Sequence, residues 1–482
     1  MLFSTDLFSK SDNAKDILKQ ETIEAILSSN STLPVKVNRI EVTGLTAARD
    51  SFLEHQIRPI IQENHTVESL LNALDSSSAD LYKYGIFNDA RYKLNLVGSS
   101  TAQPLEVTAQ LKLSDTKRTL FETSAITRND EGLLDGSLTY KNLFGGAESL
   151  KLSAAIGSTR LLKATSLLFS TPIANSTANR FNVEVSNNTT QNEWASHSVI
   201  TNGISISATK ALEKCHKGSL QIGISALNRN ITDIKASGSD PVKAASGDDG
   251  KISGFFKYAM DTTDDKYYPS KGTNLSFDQE FFSRLSNESQ NLTSSDEAAK
   301  SLSFSRTLLN IKSSKALDDK KHLIFNAYAD FGYLASVNGA SKSHLSDRFY
   351  LGGHKNIVGF QYNGIGPKDQ DGLDSLGGDA SINGGISFLA KLPNVCPKHS
   401  ILSPLRLNLF WNAGNLVSAA AVRSQGTNIV TELLRSHSSA AGLGLVYRND
   451  TADVNLSYSI PLAVKPTDSV KPGLSFNVSI SW

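Results

Sequence analysis

Residues 117–482 are dominated by segments of roughly ten residues in which apolar and polar side chains alternate. In the segment 453–460, every second residue is large and apolar, and the residues between are Asp, Asn or Ser. The segments 473–481 and 405–411 follow the same pattern. An alternation of period two places the apolar side chains on one face of a β-strand. We count about sixteen such segments, so the sequence predicts an all-β unit.

Two further properties favour a membrane barrel over a soluble multi-sheet protein. The connections are predicted to be short after even-numbered strands and longer after odd-numbered ones, with tight turns near Gly145 and Thr451 and longer loops over 231–250, 283–298 and 335–379. A chain that crosses a bilayer back and forth collects its loops on one side. No run of about 18 apolar residues occurs, and the mean hydropathy of −0.22 suits strands with one lipid-facing side. We therefore predict a transmembrane β-barrel of about 16 antiparallel strands.

Residues 33–115 have a different pattern, which predicts a small α+β domain. The predicted order is strand, helix, helix, strand, strand, with bounds near 35–42, 47–61, 67–84, 88–97 and 105–113. Thr66 is the expected N-cap of the second helix, and Pro59 is expected to close the first. The preceding residues 1–32 contain acids and lack the basic start and apolar centre of a cleavable signal, so they are predicted to be a flexible segment.

Composition excludes several functional classes. The chain has 48 Lys and Arg against 47 Asp and Glu, which predicts no surface for nucleic acid. Cys215 and Cys396 are too few for a disulfide framework, and the nine histidines lack ligand spacing, so no metal or cofactor is expected. No G-x-S-x-G, H-E-x-x-H or P-loop motif occurs, and we expect that the protein is not an enzyme.

The stretch 347–393 contains more glycines than an ordinary surface loop requires. Glycine is used where the backbone takes a positive φ or approaches another segment closely, so this stretch is predicted to be folded against protein. We predict an inward-folded loop over about 335–379. Its motif residues are Gly352, Gly353, Ile357, Val358, Gly359 and Phe360.

Several motifs, in their order along the chain, resemble the outer-membrane β-barrel assembly family. Besides the glycine-rich loop, they are TYKNLFGGAESLKL at 139–152, DTTDDKYYPSKGTNLSF at 261–277, FWNAGNL at 410–416 and SAAGLGLVYRNDTADVNLSYSIPL at 439–462. The predicted domain at 33–115, with LYKYGIFNDARYKL between its second helix and second strand, resembles a single polypeptide-transport-associated (POTRA) domain. Taken alone, that segment also fits any other small α+β module.

The resemblance implies a membrane insertase for β-barrel precursors. A single POTRA-like domain without a bacterial signal is typical of the mitochondrial members, which form the core of a sorting and assembly machinery. The implied partners are porin-like β-barrel precursors, accessory subunits of that machinery, membrane lipid and inner-membrane organising complexes. The implied location is the mitochondrial outer membrane, with the POTRA-like domain and the C-terminus facing the intermembrane space. A passive or gated pore is the alternative, because a barrel of this size encloses a wide lumen, and a soluble structural protein is a third possibility.

The loop motif departs from the family at one position. The family has an arginine before Gly-Phe that reaches an acidic residue on the barrel wall, whereas this chain has Val358 in the loop and Asn412 on the wall strand. Losing both partners of an ion pair can be nearly neutral, because no charge is left unpaired. We therefore expect the loop to dock through Ile357, Val358 and Phe360 against a wall that includes Asn412 and Gly414.

The first barrel strand, 117–128, alternates poorly and has polar residues at its middle, which predicts a weakly held lateral seam with the last strand. The expected seam residues of the first strand are Leu120, Phe121, Glu122, Thr123, Ser124 and Ala125. Those of the last strand are Gly473, Leu474, Phe476, Val478 and Ile480. The alternative is that the first strand is merely irregular.

The last strand, together with Lys471, matches the polar-x-Gly-x-x-hydrophobic-x-hydrophobic signal that the family's substrates carry. We expect Gly473 to relieve crowding and the spaced apolar residues to face lipid, features that any closing strand could share. The functional hypothesis is that a precursor's signal displaces this strand and pairs with the first one.

Overall fold

The computed structural model describes residues 29–44, 47–62, 64–97, 104–128, 131–158, 161–212, 217–286, 302–337, 343–354, 356–369, 374–392, 403–419, 422 and 428–481. The expectations for residues 1–28, Cys215, Cys396 and Trp482 lie outside this description. The chain divides into two compact units. One comprises Met1–Leu120, Thr139–Lys151 and Phe169–Arg180, and the other comprises Phe121–Leu138, Leu152–Leu168 and Phe181–Trp482.

The N-terminal part of the first unit is a four-stranded sheet covered by two helices. Its elements are β1 (Pro34–Thr43), α1 (Asp50–Gln62), β2 (His65–Thr66), α2 (Val67–Lys83), β3 (Phe87–Leu96) and β4 (Leu105–Asp115). The strand order is β2-β1-β4-β3, with β1 and β4 parallel. Phe52, Leu74 and Leu111 lie in one buried core with alternate residues of β4. The predicted α+β fold is confirmed for this part.

Helix α1 differs from its predicted bounds. It begins at Asp50, where an acidic side chain is favourable at a helix N-terminus, and it continues through Pro59 to Gln62. Proline has no backbone N–H and so removes one helical hydrogen bond. Near the end of a helix, the loss of this one bond does not prevent the last residues from remaining helical. The observed end therefore lies one residue beyond the predicted end at 61, and the predicted start at 47 was three residues too early. Helix α2 begins as predicted, since the Thr66 side chain accepts from the N–H of Ser69 and the Ser69 side chain accepts from the N–H of Thr66.

The remaining strands form one closed antiparallel barrel of sixteen strands. Their bounds are β5 (Thr119–Arg128), β6 (Glu131–Lys141), β7 (Ser149–Gly157), β8 (Leu161–Pro172), β9 (Asn179–Asn192), β10 (His197–Leu212), β11 (Lys217–Thr232), β12 (Gly247–Asp261), β13 (Lys271–Ser286), β14 (Leu302–Ala316), β15 (Leu323–Ser336), β16 (Ala380–Lys391), β17 (Arg406–Val417), β18 (Ser438–Arg448), β19 (Ala452–Ala463) and β20 (Gly473–Ser481). The ladder between β20 and β5 closes the barrel. The predicted barrel and its strand number are confirmed.

The two faces of the barrel strands differ in chemistry. Along β11 and β12, residues such as Ile222, Ile224 and Ile252 are exposed on the outer face, whereas Arg229 and Lys251 are buried on the inner face. An exposed apolar band around a closed barrel is stable against lipid and unfavourable against water. The strand alternation seen in the sequence therefore corresponds to a lipid-facing and a lumen-facing side.

The lengths of the connections match the prediction in only part of the barrel. The connections after β11, β13, β15 and β17 are long, as in 233–246 and 337–379, but the connection 392–405 after β16 is as long as 233–246. Between β5 and β10, the connection 193–196 after β9 is shorter than 142–148 after β6. The predicted alternation was thus wrong for the first strands and after β16. The long connections contain two short helices, α3 (Asp240–Ala244) and α4 (Ile429–Arg435).

None of the helices that the structure describes is long and apolar enough to cross a bilayer.

Candidate functional site at the seam and the inward loop

The first and last barrel strands are joined by a short ladder. It runs from the pair Ser124–Ser481 to the pair Arg128–Asn477 and contains five residue pairs. The ladder between β10 and β11, in contrast, contains fifteen, from Ser198 to Leu212. Fewer paired backbone groups hold β5 to β20, so this seam costs less free energy to separate than the other ladder.

Only part of the predicted first-strand set lies in the seam ladder. Ser124 and Ala125 pair with residues of β20, whereas the stretch from Leu120 to Thr123 has no partner among the described residues of β20. The Phe121 side chain in this stretch is 66% exposed. The first part of β5 therefore presents an edge to its surroundings.

Two of the three polar side chains at the middle of β5 bond to the neighbouring strand β6. The Ser137 hydroxyl donates to Glu122 at 3.2 Å, and the Ser124 hydroxyl donates to Asp135. The Thr123 hydroxyl is buried and has no hydrogen-bond partner among the described residues. The two contacts help to hold β5 to β6.

The predicted last-strand residues differ in their position relative to the seam ladder. Gly473, Leu474 and Phe476 pair with β19 and precede the seam ladder, which reaches Asn477. Val478 and Ile480 pair with Thr127 and Ala125 and so lie in the seam.

Gly473 has a different role from the one predicted. Nothing lies within 4 Å of the position that a Cβ would take, so the expectation that this glycine relieves crowding was wrong. Its φ is +115°, a backbone conformation that residues with a side chain rarely adopt. The residue therefore permits the sharp entry of the chain into β20.

The connection between β15 and β16, called the inward loop below (337–379), packs inside the barrel. Its apolar residues join residues from distant strands in one buried cluster, formed by Phe282, Phe304, Leu334, Phe349, Leu351, Ile357, Phe360, Ile365, Leu416 and Ala440. Because the cluster includes β13 and β14 on one side and β17 and β18 on the other, the loop occupies the lumen. Ile357 is completely buried within it.

Two glycine sites allow this close packing. Gly352 and Gly353 have φ values of +112° and +93° and turn the chain so that the N–H of Gly353 donates to the carbonyl of Ile357 at 3.0 Å. On the wall, a Cβ on Gly414 would lie 2.7 Å from Ile357 Cδ1. Any side chain at Gly414 would therefore displace Ile357 from its position.

Val358 and Asn412 are both uncharged, so no ion pair joins these two positions. Val358 is partly buried between buried neighbours. Asn412 is 5% exposed, and its Oδ1 has no hydrogen-bond partner among the described residues. Gly359 approaches Ala440, which is the ladder partner of Asn412, so the wall amide faces the same region of the lumen as the loop motif.

The inward loop also pairs with the connection that leads into β20. Phe360 forms an antiparallel bridge with Val470, the N–H of Lys471 donates to the carbonyl of Gly359 at 2.9 Å, and the N–H of Gln361 donates to the carbonyl of Ser469 at 2.9 Å. We call these contacts the strap. The strap ends at Lys471, two residues before β20 begins.

At its other end, the inward loop joins a buried cluster of charges on the wall. Arg229 donates to the two carboxylate oxygens of Asp347 at 2.8 and 3.1 Å, and it also donates to Asp249. Lys251 lies 3.2 Å from the Asp347 carboxylate and 2.9 Å from that of Glu280. Neither Arg229 nor Asp347 is more than 5% exposed, so these charges are screened little by water.

The protonation states in the loop follow from this cluster. Burial alone would raise the pKa of Asp347, but the charge and hydrogen bonds of Arg229, with the charge of Lys251, lower the pKa to about 2. Burial and the nearby cations Arg284 and Arg229 lower the pKa of His344 to about 4. At neutral pH, Asp347 is therefore ionised and His344 is neutral.

The turn between β12 and β13 forms a second contact across the barrel. The Tyr268 hydroxyl donates to the carbonyl of Val446 at 3.2 Å, and its ring lies 4.9 Å from the guanidinium carbon of Arg406. Arg448 donates to the carbonyl of Tyr267 at 3.3 Å. These residues connect the β12–β13 turn with β17 and β18, five strands further along the barrel.

We expect Tyr268→Ala to lower the stability of the barrel by about 3 kcal/mol, because it removes the ring from between two arginines. Tyr268→Phe removes only the hydroxyl and is expected to cost about 1 kcal/mol. The shift in the unfolding temperature of the purified protein in detergent measures both. Lys266→Ala, in the same turn, is the control, and equal unfolding temperatures for all three variants would contradict the role of Tyr268.

Comparison with known proteins identifies the family. Residues 142–482 match the family model described as the Omp85 superfamily domain, which covers more than half of the chain. The chain belongs to the Omp85 superfamily. This Omp85 protein is 30% identical over 492 residues to a SAM50-like protein of Schizosaccharomyces pombe, covering 100% of this chain and 98% of that protein. The family resemblance inferred from the sequence motifs is confirmed.

Two further similarities were found, one in sequence and one in structure. The human sorting and assembly machinery component 50 homolog is 25% identical over 455 residues, covering 93% of this chain and 90% of that protein. The crystal structure of BamA from Haemophilus ducreyi lacking POTRA domains 1–3 has a TM-score of 0.74 at 15% identity, covering 93% of this chain and 85% of that chain. The structural likeness establishes the shared fold.

The buried charges of this Omp85 protein were not predicted from the sequence. Arg229 and Asp347 are 118 residues apart, and Asp347 stands at the edge of a glycine-rich run that drew attention to the apolar motif instead. The sequence did contain a signal for a charged cluster. Arg229, Asp249 and Lys251 occupy inward positions in the apolar–polar alternation of the neighbouring strands β11 and β12. Among the described residues, no group of three or more His, Cys, Asp or Glu side chains is placed to hold a metal ion.

Proposed function

We propose that this Omp85 protein inserts β-barrel precursor proteins into the mitochondrial outer membrane and that the seam between β5 and β20 is the template. A precursor's last strand displaces β20, pairs with β5, and is followed by further hairpins that add to the growing edge. The completed barrel leaves by strand exchange. The names of the relatives, which describe components of a sorting and assembly machinery, support this proposal.

The observation that carries the proposal is the five-residue ladder between β5 and β20. An unpaired backbone group in hydrocarbon costs several kcal/mol, so a precursor strand needs a partner before it enters the bilayer. A barrel offers such a partner only where two of its own strands can separate. This ladder has fewer residue pairs than each of the described ladders from β10 to β20. The stretch Leu120–Thr123 has no partner among the described residues of β20.

Partial opening is sufficient for this mechanism. The stretch Leu120–Thr123 of β5 has no partner among the described residues of β20, so an incoming strand can form some of its hydrogen bonds with β5 before the five existing pairs are lost. Exchange of one paired strand for another conserves the number of satisfied backbone groups. The driving force is the burial of backbone polar groups and apolar faces, without a nucleotide.

A passive or gated pore is less compatible with the lumen. The inward loop occupies part of the lumen with a buried apolar cluster that reaches from β13 to β18. The turn containing Tyr268 contacts Val446 on the opposite wall. Both narrow the lumen, although a cavity lined by residues such as Glu184, Phe255 and Arg306 remains, whereas a seam mechanism uses both in place.

The location and partners belong to the same proposal. The N-terminal α+β domain is a POTRA-like domain at about residues 33–115, placed with the C-terminus in the intermembrane space, and the barrel over 117–482 is integral in the outer membrane. Porin-like precursors are the substrates, and accessory subunits of the sorting and assembly machinery and inner-membrane organising complexes are the protein partners. The single α+β domain and the family relationship support this assignment.

Reconstitution tests the proposed function. Vesicles containing the purified protein are mixed with a urea-unfolded porin precursor, and the folded, protease-protected precursor is measured over time. We expect faster folding than in empty vesicles and in vesicles containing a matched amount of folded porin. Equal rates in all three, with an ion conductance from the vesicles that contain this protein, would instead establish a pore.

A further inference from the structure

We propose that the buried charge cluster around Asp347 is an anchor that sets how readily the seam opens, acting through the inward loop and the strap on the start of β20. Its consequence for precursor insertion rests on the proposed function. The anchor and the opening of the seam are properties of the protein alone.

The wall of the cluster is incomplete without the loop. β11, β12 and β13 contribute three cations, which are Arg229, Lys251 and Arg284, against the two anions Asp249 and Glu280. Arg229 and Arg284 share the carboxylate of Asp249, and Lys251 lies 2.9 Å from Glu280, so these three wall cations have only these two wall anions. A buried cation requires an anion at hydrogen-bonding distance. The carboxylate of Asp347 provides this anion from the loop.

The bonding geometry indicates a fixed attachment. Arg229 directs two N–H groups at the two oxygens of Asp347, and Lys251 adds a third contact to the same carboxylate. A two-pronged guanidinium–carboxylate contact restricts orientation as well as distance. With the Asp347 side chain 2% exposed, water does not compete for these bonds.

The opposite end of the loop holds the chain that enters β20. The strap joins Gly359 and Gln361 to Lys471 and Ser469, and the Asp468 carboxylate accepts from the Gly366 N–H at 3.3 Å. The strap lies directly before Gly473, where the ladder with β19 begins, so the strap and β19 both hold the start of β20. A loop held at both ends transmits the position of β11–β13 to the seam.

Two disulfide reporters measure the two ends of this connection in the full-length protein with Cys215 and Cys396 replaced and no precursor present. Gln361→Cys with Ser469→Cys reports the strap, since the two residues are joined by a backbone hydrogen bond. Ala125→Cys with Ile480→Cys reports the closed seam, in which these residues are partners. The fraction oxidised at a fixed time is compared after Asp347→Asn, after Arg229→Lys and after the control Asp319→Asn, which changes an exposed acid in the β14–β15 turn.

We expect Asp347→Asn to lower both oxidised fractions by about tenfold, because it leaves a buried cation without its anion. Arg229→Lys keeps the charge but loses the two-pronged contact, and we expect a smaller decrease in both. If Asp347→Asn prevents assembly of the barrel, the proposal is tested with Arg229→Lys instead. Asp319→Asn should match the parent protein.

Unchanged seam oxidation in Asp347→Asn and Arg229→Lys would overturn the proposal, as would a loss of strap oxidation alone. Because no precursor is present, these outcomes do not depend on whether the protein inserts barrels. The protein could fail to insert a precursor in the vesicle assay while both reporters respond as expected. That result would contradict the proposed function and would still support the anchor.

Discussion

A disulfide between Ala125→Cys and Ile480→Cys is expected to abolish precursor insertion, reducing the initial rate by more than about tenfold. The two residues are partners in the five-residue ladder that closes the barrel. If a precursor strand has to displace β20, one covalent bond across this ladder prevents the displacement, whatever the number of hydrogen bonds that can break. Insertion of a porin precursor is measured in vesicles before and after reduction, and reduction should restore it.

The matched control is a disulfide in a ladder that is not expected to open. Ile204→Cys with Ala226→Cys joins partners in the fifteen-pair ladder of β10 and β11. It should leave insertion unchanged in both redox states. Equal insertion by the oxidised seam variant and the oxidised control would contradict the seam mechanism.

Restoring the arginine of the family at Val358 is expected to be strongly unfavourable by itself. Val358→Arg introduces a cation into a region where the wall offers the uncharged Asn412, and an uncompensated buried charge typically costs about 3–5 kcal/mol. We expect the inward loop to leave its position, so that a protease cleaves the loop and the unfolding temperature falls. Limited proteolysis and thermal unfolding in detergent measure these effects.

Adding Asn412→Asp should reverse most of this loss. The orphan Oδ1 of Asn412 and the approach of Gly359 to Ala440, its ladder partner, place the new carboxylate in the region of the new cation. A coupling of about 2 kcal/mol or more between the two substitutions is expected. Additive effects of the two substitutions would show that the loop motif and this wall position do not face each other. Asn412→Asp alone should destabilise, because it too leaves one charge unpaired.

The strand pattern could be predicted because lipid imposes it. Residues such as Leu456 and Ile460 must be apolar where they face hydrocarbon, and this requirement recurs at every second residue. Strand number and fold class follow from counting these segments. The α+β order was predictable for the same kind of reason, since the Thr66 cap and the apolar face of α2 are local features.

Pairing register and long-range polar contacts could not be predicted in this way. An alternation of period two is unchanged when a strand slips by two residues, so the residues of β5 that pair with β20 are not encoded in the pattern. The ladder runs from Ser124, opposite Ser481, to Arg128, opposite Asn477, and the alternation alone does not specify this register. The partner of Arg229 likewise depends on the path of a long loop, which no local pattern specifies.

The most direct test of the seam residues proposed from the sequence is a crosslink between β5 and a precursor during its insertion. With Cys215 and Cys396 replaced, a cysteine at Thr123 is combined with single cysteines along the last strand of a porin precursor. We expect disulfides at one register with two-residue spacing, and their loss when the precursor's signal glycine and apolar residues are changed. Crosslinks without a register would contradict β5 as the template. So would crosslinks that form only when the cysteine is moved from Thr123 to an inward-facing position such as Ser137.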